Sequence, residues 1–71
     1  MSLLKFEYVN YKGARKIRTV EPHQIIYGKT PHIDQDEWLL EGIDVEKNEK
    51  RLFVMRHIVR FIDEKVQRFL C

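Results

Sequence analysis

Apolar and polar positions change their spacing along this chain, and each change marks an element. Leu4, Phe6 and Tyr8 alternate with Lys5 and Glu7, the period of two expected where one face of a strand is buried. A first strand is therefore read over Leu4 to Tyr11. Lys12-Gly13-Ala14 supplies a turn in which Gly13 is free to take φ > 0, and Arg15 to Val20 resumes as a strand rich in β-branched residues, so the two form a hairpin. Pro22 has no N–H to donate and pushes Glu21 toward extended geometry, which predicts that this strand bends or ends there. His23 to Tyr27 reads as a short continuation or as a third strand, closed by Gly28.

Lys29 to Glu37 is polar, contains Pro31 and follows no consistent period, so it is expected to be the longest loop. Trp38 to Val45 is an apolar strand interrupted by Glu41 and Gly42. Glu46-Lys47-Asn48-Glu49 then gives a polar turn, and Arg51 to Met55 a compact strand that completes a second hairpin. Beyond this the period lengthens. At 100° per residue, Ile58, Val59, Ile62, Val66, Phe69 and Leu70 fall within an arc of about 120°, with Arg60, Asp63, Glu64, Lys65, Gln67 and Arg68 on the remaining face. The pattern predicts an amphipathic helix over 59–70. Its alternative is a final strand at Val59 to Ile62 followed by a shorter helix capped at Asp63.

The 71 residues leave room for one domain, 1–71, and a chain this short buries only about 60% of the surface it exposes when unfolded. A marginal stability on the order of 5 kcal/mol follows. A binding or regulatory module suits that size better than an enzyme with a deep pocket. Cys71 is the only cysteine, so no internal disulfide framework exists and a reducing, cytoplasmic setting is expected. The runs Trp38-Leu39-Leu40 and Leu52-Phe53-Val54-Met55 fall far short of the roughly 18 apolar residues that cross a bilayer, so no membrane partner is expected.

The net charge of +2 is unevenly distributed. Residues 1–30 carry six Lys/Arg and two acids, residues 31–50 two lysines and seven acids, and residues 51–71 five bases and two acids. A fold that brings the first and third blocks together carries a basic face, which attracts phosphate, beside an acidic edge.

Little in the chain points to catalysis, and no cofactor is expected. His23, His32, His57 and Cys71 are the soft metal ligands, and none stands at structural-zinc spacing. Gly13, Gly28 and Gly42 are isolated and build no phosphate loop. The hydroxyl and thiol candidates Ser2, Thr19, Thr30 and Cys71 form no nucleophile-plus-base arrangement with a histidine along the chain.

The order of motifs is more informative. Phe6-Glu7-Tyr8 with Tyr11 and a Lys-Gly turn is followed by Arg18-Thr19-Val20-Glu21-Pro22, by Trp38-Leu39-Leu40 with Asp44, and by Arg51-Leu52-Phe53 with His57-Ile58. In this order the chain resembles the WYL domain family, over roughly residues 4–58. The family has a tyrosine strand, an Arg-x-Val-x-Pro segment, a Trp-Tyr-Leu tripeptide and an Arg-x-Phe strand leading to a basic residue before isoleucine. The resemblance implies a mostly β fold: a small, strongly bent Sm-like β-barrel of about five strands over 4–58, here followed by the C-terminal helix. It also implies a ligand-sensing role in bacterial transcription regulators, beside a helix-turn-helix, with nucleotides or nucleic acid held on a basic, aromatic-bearing surface. No helix-turn-helix fits in these residues, so a free-standing or excised domain is expected. Leu39 stands where the family has the tripeptide's tyrosine, which removes a ring and hydroxyl from the implied ligand surface. The Thr30 to Glu37 segment is also longer and more acidic than the pattern.

Carried over by position, Arg18, Trp38, Arg51 and His57 match the family's pattern, and Arg56 adds a neighbouring charge. These five are the candidate ligand-binding residues. Each also has a plainer reading: Trp38 as a core or barrel-mouth side chain, Arg18 and Arg51 as cross-strand partners of Glu7, Glu21 or Glu41, and His57 as a turn residue. The expected function is a non-catalytic binding module for a nucleotide or single-stranded nucleic acid. Its rival is a protein-interaction module, a homodimer for instance, that docks the apolar helix face of Ile58, Ile62, Val66 and Phe69 on another chain.

Overall fold

A computed structural model describes residues 3–62. Five strands form one antiparallel sheet: β1 (Leu4–Val9), β2 (Arg15–Thr30), β3 (Ile33–Asp44), β4 (Glu49–Val54) and β5 (Ile58–Phe61), with a 3₁₀ turn, Met55–His57, between the last two. The order across the sheet is β4-β3-β2-β1-β5, and pairing stops at β4 and β5. The mostly β expectation holds, but the sheet is open rather than a closed barrel.

The first hairpin forms where alternation placed it, pairing Leu4 with Val20 and Val9 with Arg15. Its connection is organised by Asn10, whose side-chain oxygen accepts the N–H groups of Lys12 and Ala14 at 2.9 and 3.0 Å. Gly13 has φ +85°, a conformation that costs glycine nothing.

Three features depart from the sequence reading. The second strand bends and continues at Pro22, one of the two outcomes the sequence allowed, but it does not give way to a loop at Lys29. It runs to Thr30, and a register shift between Pro22 and Gln24 absorbs the missing donor. The nine-residue loop is replaced by a two-residue connection, Pro31-His32, between paired Thr30 and Ile33. The Thr30 hydroxyl accepts the His32 N–H there. Asp34, Gln35 and Asp36 lie on an arm that is exposed, so no period of two was imposed on them. The predicted helix is also corrected where it is described: Val59 to Phe61 belong to β5, paired antiparallel with β1, Ile62 follows that strand, and residues 63–70, including Val66 and Phe69, lie outside the described residues. The alternative reading, a final strand at Val59 to Ile62, is the one that agrees.

The core is Phe6, Tyr8, Val20, Leu40 and Phe53, with Leu4, Met55 and Ile58 packed on it. Phe6 meets Phe53 edge to face at 5.3 Å, and Tyr8 meets Phe53 at 5.1 Å, a geometry favoured by the ring quadrupoles. β1 therefore faces β4 across the core although the two strands do not pair.

The bend that allows this sits at Pro22 opposite Gly42. A Cβ on Gly42 would lie 2.5 Å from the Glu21 carbonyl oxygen and 2.6 Å from Val20 Cγ1. β2 and β3 approach that closely only because residue 42 has no side chain.

Candidate functional site

A cleft of about 480 Å³ opens beside this core. Tyr8, Arg18 and Phe53 line it from the sheet, Asn10 and Tyr11 from the β1–β2 turn, Thr30 to Ile33 from the β2–β3 turn, and His57 from the 3₁₀ turn. Lys50, Arg51 and Leu52 from β4, Val54 at its end and Glu41 from β3 complete the walls. Residues far apart in sequence meet here because the long β2–β3 hairpin brings its tip to the β1–β2 turn. Tyr11 and His32 stack there, 3.9 Å between ring centres and 2° from parallel.

Arg18 is buried in the cleft wall, 8% exposed. Its Nη1 donates to Asp44 Oδ2 at 3.2 Å, and Asp44 is 1% exposed. The other Asp44 oxygen accepts the N–H groups of Glu46 and Lys47, so one carboxylate both caps the β3–β4 turn and holds the guanidinium. This is a correction to the expected partners Glu7, Glu21 and Glu41. Arg51 reaches Glu49 at 3.4 Å and Lys50 reaches Glu41 at 3.8 Å. The Nε–H groups of Arg18 and Arg51 are buried and meet no acceptor among the described residues. A buried unmatched donor costs free energy, and neither Nε is open to solvent.

Tyr8 closes one side. Its hydroxyl accepts the Val54 N–H at 2.8 Å, and burial pushes its ionisation up, against the opposing influence of that bond and of Arg18.

The five candidate ligand residues divide. Arg18, Arg51 and His57 come together in the cleft. Arg56 stands apart, with Nε and Nη2 on the two Glu37 oxygens at 3.3 and 2.8 Å; that hydrogen bond first, and charge second, raises the Arg56 pKa, and the same hydrogen bonding, joined by a bond from Gln35, holds the Glu37 carboxyl low. Trp38 is 58% exposed, away from the core and from the cleft lining, its ring 5.0 Å from Tyr27. The expectation of a core or mouth tryptophan is overturned because β4 pairs with β3 only from Leu39 onward, leaving the strand uncovered at residue 38. Leu39, at the tripeptide's tyrosine position, is fully buried. Of the proposed interface positions, Ile58 packs on the core and Ile62 donates its N–H to the Lys5 carbonyl at 2.8 Å.

Sequence reasoning missed Asp44 as the partner of Arg18, and Tyr11, His32, Lys50 and Glu41 as cleft residues. Asp44 was legible as a turn former: an aspartate before a four-residue polar connection is a common cap of backbone N–H groups. His32 was hidden by reading its segment as a loop.

Among the described residues no group of three or more His, Cys, Asp or Glu is placed to hold a metal ion, and no helix is long and apolar enough to cross a membrane. No family model, curated protein or solved structure matches the chain.

Proposed function

We propose that this chain is a non-catalytic, ligand-sensing module of the WYL kind, and that its cleft holds a phosphate-bearing ligand, a nucleotide or single-stranded nucleic acid. The observation that carries the reading is the convergence of Arg18, Lys50 and Arg51 with the rings of Tyr11 and His32 on the walls of one cleft. Guanidinium N–H groups form short, charge-assisted bonds to phosphate oxygens, and the rings of Tyr8, Tyr11 and His32 on the same walls offer surfaces on which bases stack. A cytoplasmic regulator accords with the lone cysteine.

Titration with an oligonucleotide or nucleotide at low salt tests the reading. Arg51→Ala is the informative variant, because the partner of Arg51 is an exposed glutamate on its own strand and the fold does not depend on it. Binding should weaken at least about tenfold, the effect of losing one charge-assisted bond, with the melting temperature nearly unchanged. Absence of any binding below roughly millimolar concentration overturns the proposal, since non-specific electrostatic binding alone usually exceeds that.

A second reading, an interaction module, is favoured by one feature. Ile25 pairs with Leu40 and Tyr27 with Trp38, so Ile25, Tyr27 and Trp38 continue the core face of the sheet past its end, where all three are more than half exposed. A homodimer burying this face would appear in sedimentation equilibrium and disappear in Trp38→Ser. A chain that stays monomeric at high micromolar concentration removes it.

A further inference from the structure

We infer that the exposed face of the β2–β3 arm docks a basic, apolar segment of another protein, one whose arginine lies over the Trp38 ring beside Asp36. The inference rests on the interaction reading above and names its partner.

Register sets the apolar part of this surface. Ile25 stands opposite Leu40 and Tyr27 opposite Trp38, and residues directly opposite each other in an antiparallel ladder share a face. Ile25, Tyr27 and Trp38 therefore lie on the face that carries Leu40 into the core, yet they are 56%, 59% and 58% exposed. The two rings meet at 5.0 Å between centres with a tilt of 60° and so form one surface. A protein–protein interface of standard size takes roughly 20–30 residues a side. Three apolar side chains fit a short segment better than a second domain.

Charge selects the segment. Gln35 donates to Glu37 at 3.0 Å, which places side chains 35 and 37 on one side of β3. Asp36, between them, points to the other side, that of Trp38. Glu37 is matched by Arg56 at 2.8 Å. Asp34 and Asp36 are exposed, and their carboxylates accept no hydrogen bond and join no ion pair among the described residues. Against these two the arm carries Lys29, so an excess of negative charge remains beside the rings.

An exposed aromatic pair next to an unpaired carboxylate suits a guanidinium, which stacks on an indole and gives paired N–H groups to a carboxylate. The described part of a second copy brings no such group to spare. Arg15, Arg18, Arg51, Arg56 and Arg60 all sit on carboxylates already.

The full chain carries its own reporter for the test, since Trp38 is the only tryptophan. Acetylated and amidated hexapeptides that alternate leucine with arginine, lysine or glutamate are titrated against it by tryptophan fluorescence. The arginine peptide should change the Trp38 emission saturably and bind most tightly of the three, although the chain's net charge of +2 opposes cations in general. Tyr27→Ala should weaken it about fivefold, the order of an exposed cation–π contact. Asp36→Asn should weaken it about threefold, within the range of an exposed ion pair. Both residues are exposed, so these variants keep the fold and their melting temperatures.

Equal affinity for the arginine and glutamate peptides overturns the proposal and leaves the interaction reading standing. So does an emission that shifts with protein concentration while sedimentation shows a dimer, because the face then belongs to a second copy. Binding unweakened in both Tyr27→Ala and Asp36→Asn puts the peptide elsewhere and overturns the proposal as well. No response to any peptide up to roughly millimolar concentration, from a chain that stays monomeric, removes the proposal and the interaction reading together.

Discussion

Tyr8 and Val54 stand on strands that do not pair with each other, yet the Val54 N–H donates to the Tyr8 hydroxyl at 2.8 Å. β1 and β4 are separated in the sheet by β2 and β3, so this bond crosses the core and ties one edge of the sheet to its interior. Tyr8 is therefore more than a ring in the Phe6–Phe53 cluster. It satisfies a buried backbone donor that the open edge of β4 leaves without a strand partner.

Tyr8→Phe keeps the ring and deletes the acceptor. A buried N–H left unmatched costs about 1–3 kcal/mol, and each kcal/mol moves the melting temperature of a domain this size by roughly 4–8 °C. Calorimetry should show that fall, and the Val54 amide should exchange faster with solvent. An unchanged melting temperature would show that the bond contributes nothing net.

Arg18 and Asp44 form the other link across the fold, both at least nine-tenths buried. Removing one member of a buried pair strands the other charge and costs about 3–5 kcal/mol, comparable with the whole stability expected of a small domain. Arg18→Ala and Asp44→Ala should each leave the chain largely unfolded by circular dichroism. The double variant Arg18→Met with Asp44→Leu should recover much of the loss, since a well-packed apolar pair avoids the desolvation cost. Two folded single variants would contradict this account.

How the sequence announced these features depends on whether the signal was local. Leu4, Phe6 and Tyr8 declared β1 because one face of the strand is buried, and Gly13 declared the turn because the backbone there requires positive φ. The hairpin arm from Lys29 to Glu37 escaped because an arm standing in solvent needs no alternation. The period of Ile58, Val59 and Ile62 suits a helix as well as a strand in so short a window, and it was the open edge of β1, a tertiary fact, that decided. For the cleft, Arg18 and Arg51 were named from motif order. The carboxylate that holds Arg18 lies 26 residues away along the chain, a distance at which pattern carries no information.

Glu7 and Glu37 give the domain a defined acid limb. The hydrogen bond from Arg60, helped by Arg15, holds the Glu7 carboxyl below the ordinary value of 4.5, and Arg56 with Gln35 does the same for Glu37. A carboxyl whose folded pKa is depressed contributes stability that is complete above its unfolded pKa and disappears as pH falls through the folded one. Stability should therefore drop as pH is lowered below about 4.5. Denaturant melts of Arg60→Gln and Arg56→Gln should show a shallower drop there than the wild type. Parallel acid limbs in all three proteins would rule these pairs out as its source.

Trp38 offers a direct check on the uncovered arm. At 58% exposure its fluorescence should peak near that of indole in water and be quenched by acrylamide almost as efficiently as in the unfolded chain. Trp38→Ser should change stability by about 0.5 kcal/mol or less, as for other surface positions. A blue-shifted, protected emission in dilute solution would mean that something covers this face.

Gly42 and Gly28 make a matched pair for testing the bend. Both lie on the β2–β3 arm, in adjacent strands, but a Cβ at Gly28 meets nothing within 4 Å, whereas one at Gly42 would press on the Glu21 carbonyl oxygen and Val20 Cγ1. Gly28→Ala should thus be neutral or stabilising by up to about 1 kcal/mol, through the restricted unfolded chain alone. Gly42→Ala meets backbone, which cannot rotate away as a side chain can, so β3 must move off β2 at about 1–3 kcal/mol, the usual cost of overpacking. Asp44 is two residues further along the same strand, opposite Val20, and its carboxylate holds Arg18, which lines the cleft. Displacing β3 should accordingly weaken nucleotide binding as well as lower the melting temperature, without touching any residue that lines the cleft. Equal melting temperatures for the two variants would mean that the close approach at Gly42 does not set the bend.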